Sequence, residues 1–176
     1  MAQDPQSEEL VLHGNTCFGC GEANDHGLQV AVYRDPTARR LRGEFSPRPE
    51  VAGIPGITHG GALYTAMDCM ATWSGMALKQ TKALWVLRSA TMTYHRPAHA
   101  GDPVVLTASI EEEGGEWDGM QVRVDAHDSE GELLVEGRFK VIPLAPDRFK
   151  KLLGLQALPA GWTDWLEGRA ELTVRA

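Results

Sequence analysis

Cysteine is scarce in this sequence: Cys17, Cys20 and Cys69 are the only three in 176 residues. Three thiols do not build the disulfide framework of a small secreted domain. Cations are outnumbered as well, with Lys and Arg at 17 against 24 Asp and Glu and a formal net charge of −7. That balance argues against nucleic acid as a general partner, because binding a phosphate backbone requires clustered cations. It still leaves room for one anionic ligand on a local basic patch. Long apolar runs are also missing. The best stretch, residues 62–78, is interrupted by Thr65, Asp68, Thr72, Ser74 and Gly75 and is too short to span a bilayer. Residues 1–9 are polar and acidic, without the basic start and apolar run of a secretory signal or transit peptide. The expected setting is therefore cytoplasmic, with neither membrane nor nucleic acid as partner.

The composition itself, 43% hydrophobic and 23% charged, is that of an ordinary globular domain, and the length suffices for one real core. Residues 1–16 read as a flexible N-terminal arm. From Leu28 the pattern alternates as a strand does, with Leu28, Val30 and Val32 against Gln29, Ala31 and Tyr33; a turn at Asp35-Pro36-Thr37 leads to a second run over residues 41–45. Residues 46–58 hold Pro47, Pro49, Gly53, Pro55 and Gly56 and read as a loop. Residues 60–79 then read as one long helix, apolar or small on every face and hence expected to be buried. Extended segments follow at 84–96, 104–110, 120–127 and 133–141, the later ones joined by short turns that make neighbours antiparallel. About six strands and one buried helix imply an α+β domain in which a single sheet wraps a central helix. Residues 144–176 form a C-terminal extension, read as a short helix at 147–155 and an irregular end, with no function legible in it.

Across residues 60–78, Asp68 is the only charged side chain. A carboxylate on an otherwise apolar helix is costly unless it is paired or meets solvent or ligand, and burial pushes its pKa toward the range of a general base. A hydrogen bond to Thr65, Thr72 or a neighbouring strand is the competing, purely structural reading. At the helix start the first N–H groups lack intrahelical partners and sit at the positive end of the dipole. Gly60 and Gly61 place no side chain in the way of a carbonyl oxygen approaching those donors, which is what an oxyanion hole requires. Alternatively, the two glycines only permit a sharp entry from the preceding loop. His59 polarises a carbonyl, orients the loop or caps the helix; the sequence leaves all of these open. Gly60 and Asp68 lie eight helical residues apart, roughly 12 Å along the axis. They cannot both reach one scissile bond within a single chain, so joint action predicts a symmetric dimer with sites at its interface.

The run Pro55-Gly56-Ile57-Thr58-His59-Gly60-Gly61, with Asp68 nine positions after the histidine, resembles the PaaI-like branch of the hot-dog-fold acyl-CoA thioesterases. Tyr94-His95-Arg96-Pro97-Ala98 is similar to a strand-end motif of that branch, and Cys17-Phe18-Gly19-Cys20-Gly21 with Asn24 and Gly27-Leu28 to the N-terminal signature of one bacterial subgroup. The resemblance covers roughly residues 17–143 and marks them as a hot-dog thioesterase domain. It implies an acyl-CoA hydrolase working without metal or redox cofactor, as a homodimer or a tetramer made from two dimers. By position, the Gly60 amide, with Gly61 beside it, would hold the thioester oxygen. Asp68 of the facing subunit would be base or nucleophile, and His59 would orient the site. This chain departs from the pattern at three places. Gly53 and Ala52 stand where many members carry asparagine or glutamine, Leu87 stands where many carry serine or threonine (Ser89 is two residues on), and Cys69 stands where the subgroup often has a second acid.

Arg96, His95 and Arg88 are the candidates for the phosphates of coenzyme A, with Arg40, Arg42 and Arg48 behind them. Other readings stay open. His13, Cys17, Cys20 and His26 offer four zinc-type ligands within fourteen residues. A hydratase or dehydratase acting on acyl thioesters would use His59 and Asp68 as its acid–base pair. A non-catalytic acyl-CoA binding module would keep the pocket and lose the chemistry.

Overall fold

The computed structural model describes residues 8–79, 81–158, 160–169 and 172–175. In chain order its strands are β1 (Glu8–Val11), β2 (Ala31–Arg34), β3 (Arg40–Phe45), β4 (Ala52–Ile54), β5 (Ile57–Thr58), β6 (Leu84–Tyr94), β7 (Val104–Glu113), β8 (Met120–His127), β9 (Leu133–Leu144) and β10 (Thr173–Arg175). The helices are α1 (Gly60–Ser74), extended by a widened π turn over Gly75–Lys79, then α2 (Pro146–Leu153) and α3 (Ala160–Leu166). Eight strands make one antiparallel sheet in the order β10-β1-β2-β3-β7-β8-β9-β6, while β4 and β5 pair as a separate small hairpin. The long helix packs on one face of the sheet, touching β3, β6, β7, β8 and β9. The α+β, sheet-around-helix architecture is that of the hot-dog fold, as expected.

The strand periodicity explains why this face is the core. In β8, Met120, Val122, Val124 and Ala126 are buried while Gln121, Arg123, Asp125 and His127 remain partly open, the period-two alternation of a half-buried strand. With Leu41, Leu106 and Phe139 they close over Ala66, Met67 and Met70 of α1, all essentially fully buried. The helix comes close because Gly43 has no side chain: a Cβ there would stand 2.5 Å from Met70 Sδ.

Five expectations change. The helix is not buried on every face within one chain. Gly61 is exposed, and Tyr64, Thr65, Asp68 and Thr72 are only partly covered. Spacings of three and four residues align these positions as one stripe along α1. The first strand after the cysteine segment begins at Ala31 rather than Leu28. The Leu28 and Val30 amides bond instead to the carbonyls of Phe18 and Gly19, at 2.7 and 2.9 Å, and Gln29 between them sits at φ 54°. Residues 1–7 of the supposed arm lie outside the described residues, but Glu8–Val11 is a paired strand of the main sheet, and Leu10, Val11 and Leu12 are buried. An apolar triplet is too short to show a period, which is why it escaped pattern reading. Finally, the 46–58 loop contains the β4–β5 hairpin, and the C-terminal extension adds α3 and β10 to the helix expected there.

Candidate functional site

The start of α1 is pinned from both sides. Thr58 N–H donates to Ala98 O at 2.8 Å and His59 N–H to Val51 O at 2.9 Å, so strand β5 delivers the chain to the helix at a set angle. His59 is the N-cap residue, extended at φ −62° and ψ 133°, and its Nδ1 accepts from the Gly61 N–H at 2.8 Å. An accepting Nδ1 puts the ring proton on Nε2. The cap satisfies the Gly61 donor, and among the described residues no acceptor takes the Gly60 N–H. Of the two glycine amides, Gly60 is therefore the one whose N–H remains free at the helix mouth. Tyr94, at the end of β6, closes over this glycine: its hydroxyl donates to Gly60 O at 3.0 Å.

Two turns along, Asp68 sits in the open stripe. Its Oδ1 is buried without a hydrogen-bond partner. The two threonines expected as partners bond elsewhere: Thr65 Oγ1 donates to Gly61 O at 2.9 Å, and Thr72 Oγ1 to the backbone carbonyls of Asp68 and Cys69 at 3.2 and 3.0 Å. Burial, and secondarily the negative charge of Cys17, push the Asp68 carboxyl up to about 6. That is a carboxylate poised to take a proton near neutral pH. Tyr64, one turn back, has its phenol pushed up by burial and by the Asp68 charge, and its ring packs on Phe139 with centroids 6.0 Å apart.

A segment with this helix and this strand order has known relatives. Residues 55–135 match the family model of the thioesterase superfamily. That match covers a little under half of the chain. A curated relative, the acyl-coenzyme A thioesterase THEM4 of Xenopus laevis, is 24% identical over 102 residues, 58% of this chain and 45% of that protein. The chain thus spans less than half of the relative it matches. Among solved structures, the E. coli PaaI protein from the phenylacetic acid degradation operon superposes with a TM-score of 0.58 at 15% identity, covering 67% of this chain and 81% of that one. A hypothetical thioesterase protein of Streptococcus pneumoniae with coenzyme A superposes at 0.55 and 16% identity, covering 60% and 79%. At these identities the superpositions establish the fold alone.

Within this hot-dog domain, the departures noted in the sequence have definite places. A Cβ on Gly53 would stand 3.0 Å from His59 Cδ2, and Ala52 pairs with Thr58 across the small hairpin, so neither position presents a polar group beside the helix mouth. Leu87 immediately precedes a bulge in β6, with Arg88 and Ser89 exposed just beyond it. Of the phosphate candidates, His95 Nε2 lies 3.2 Å from Glu136 Oε1 and Arg96 is ion-paired with Glu132. Arg88 has no ion-pair partner among the described residues.

Two features escaped sequence reasoning. Tyr94 meets Gly60 across 34 residues of chain, a contact no local pattern announces. The zinc-type set proposed around the Cys-x-x-Cys pair is also different from the one expected. Cys17 and Cys20 converge on Cys69 of α1, with the three sulfurs within 4.8 Å of one another. His13 points instead toward Glu22 at 3.5 Å, and His26 lies exposed on the loop surface. Among the described residues no helix is long and apolar enough to cross a membrane.

Proposed function

We propose that this protein hydrolyses acyl-CoA-type thioesters to free acid and thiol, at sites completed by two copies of the chain. The observation that carries the reading is the pairing on one helix of a donor-only mouth at Gly60 with an unpartnered, proton-accepting Asp68 about 12 Å away. The thioester oxygen docks on the Gly60 N–H, where the helix dipole and the free donor favour the negative charge that develops on it. Asp68 of the partner subunit either takes a proton from the attacking water or attacks the carbonyl itself. When Asp68 activates water, the tetrahedral intermediate collapses, the C–S bond breaks, and the sulfur leaves as thiol with the proton Asp68 took from that water. When Asp68 attacks directly, the sulfur takes a proton from solvent and a water then hydrolyses the Asp68 acyl anhydride to free acid. His59 holds the mouth in shape through its bond to the Gly61 amide.

Two features support the second copy. The stripe of Gly61, Tyr64, Thr65, Asp68 and Thr72 is open in a single chain. Strand β6 ends the sheet, so over its 11 residues one edge lacks a strand partner among the described residues, a state that proteins normally cover. We assign the hydrolase to residues 17–143 as the functional unit, as a homodimer or a pair of dimers. Arg88 is the first choice for a coenzyme A phosphate, since His95 and Arg96 already face acids.

The test is thiol release by the purified chain from a panel of short, long and aryl acyl-CoA thioesters. Turnover of at least one class, lost in Asp68→Asn without loss of fold, is the expected result. Binding without hydrolysis of every thioester offered, unchanged by Asp68→Asn, would make the protein a binding module instead.

A further inference from the structure

The three cysteines lie outside the hydrolytic chemistry, yet fold gathers them from two distant parts of the chain. Cys17 Sγ is 3.7 Å from Cys69 Sγ, across 52 residues of sequence, and Cys20 Sγ completes a triangle with all three sulfurs within 4.8 Å. Sulfurs each about 2.3 Å from a tetrahedral zinc stand about 3.8 Å apart, so one edge of the triangle already has the length a metal would impose. All three are free thiols.

The surroundings treat these sulfurs as acceptors of positive charge. Trp73 Nε1–H donates to Cys20 Sγ at 3.2 Å and Asn15 Nδ2 to the same atom at 3.6 Å, while Gly19 N–H donates to Cys17 Sγ at 3.4 Å. N–H donors aimed at sulfur are the outer partners that steady metal-bound thiolates. The turn that carries the pair is built for it. Asn15, almost fully buried, accepts from Cys17 N–H at 3.0 Å and donates to Cys20 O at 3.4 Å. Gly21 N–H donates to Cys17 O at 3.0 Å, and a Cβ on Gly21 would stand 2.4 Å from that oxygen, so the turn closes only around a glycine. Gly19 is constrained in the same way by the third ligand, since its Cβ would fall 2.3 Å from Cys69 Sγ. Access exists as well: Cys20 and Trp73 line a cavity of about 270 Å³ that also presents Glu22 and Gln29.

We propose that Cys17, Cys20 and Cys69 form a site for a thiophilic divalent cation, with zinc as the probe and water as the fourth ligand. Three protein ligands with one open position is an established zinc pattern. Binding releases the thiol protons as the sulfurs become thiolates, so affinity rises with pH. The ion would tie the 15–28 loop to α1 at the residue next to Asp68.

The experiment takes the full chain, reduced and stripped of metal, and titrates it with cobalt(II) and then zinc. Expected are a sulfur-to-cobalt charge-transfer band with intense tetrahedral d–d bands, saturating at one ion per chain and abolished by zinc. Cys69→Ser and Cys17→Ser weaken zinc binding by more than the roughly 10–100-fold that loss of an outer hydrogen-bond partner costs. His13→Ala and His26→Ala leave it unchanged. A folded wild-type chain that gives only the weak bands of octahedral cobalt overturns the proposal, and this measurement needs no variant. So does zinc uptake that survives Cys69→Ser.

Discussion

The Tyr94 hydroxyl donates to the Gly60 carbonyl at 3.0 Å, and the phenol ring lies so close that a Cβ on Gly60 would stand 3.2 Å from Tyr94 Cε1. The end of an edge strand thereby closes one side of the helix mouth and leaves the amide side open. Gly60→Ala pushes the ring outward and places a methyl group beside the free donor. Loss of one oxyanion donor elsewhere costs about 100–1000-fold in turnover, and a comparable fall is expected here, with folding stability changed by no more than about 1 kcal/mol. Steady-state kinetics alongside urea unfolding separates the two effects. Tyr94→Phe, which removes one partly exposed hydrogen bond, costs about 1 kcal/mol or less.

With Asp68 as the proposed base or nucleophile, its carboxyl, pushed up to about 6 by burial, is expected to set a pH dependence of activity. The reactive form is the carboxylate, so turnover rises with pH through about 6 and then levels. Stability runs the other way. A carboxyl whose folded pKa lies above its unfolded value of 3.8 contributes stability below pH 4 that is lost as pH rises through about 6. Asp68→Asn removes that loss, so its melting temperature should exceed wild type at pH 8 by more than at pH 4. Melting curves at the two pH values test the sign.

Mixing two inactive variants tests whether sites are shared. Gly60→Val blocks the donor and Asp68→Asn removes the carboxylate. If each site takes Gly60 from one subunit and Asp68 from the other, random re-association of equal amounts makes half the dimers mixed, each with one intact site. Roughly a quarter of wild-type activity then returns. No recovery after verified subunit exchange would place both groups in one chain.

His59 contributes through its cap. His59→Ala frees the Gly61 donor and costs about 1 kcal/mol in urea unfolding, the usual value of an N-cap, while His59→Asn retains most of it.

Arg88 stands exposed at the β6 bulge without an ion-pair partner among the described residues, whereas Arg96 is engaged with Glu132. Arg88→Ala is expected to raise KM for an acyl-CoA several-fold, leaving KM for the corresponding acyl-pantetheine, which lacks the nucleotide phosphates, unchanged. Arg96→Ala should have the smaller effect.

The alternation in β8 and β9, the length of α1 and the isolation of Asp68 on it were all legible in the sequence. Each is a local property: a period of two, a period near 3.6, and one charge among apolar neighbours. The histidine-glycine-glycine start was legible for the same reason, because a cap and its helix are adjacent in the chain. Tertiary structure decided everything that joins distant segments. It showed that His59 satisfies Gly61 and leaves Gly60 free, because that depends on a side-chain direction set by the hairpin and Ala98. It opened one stripe of a helix whose sequence is apolar on every side, since burial is settled by what packs against a face and not by the face's own residues. And it replaced the nearby histidines with Cys69 as the companion of Cys17 and Cys20: spacing along a chain offers ligands, but only the packing of the 15–28 loop on α1 brings their sulfurs together.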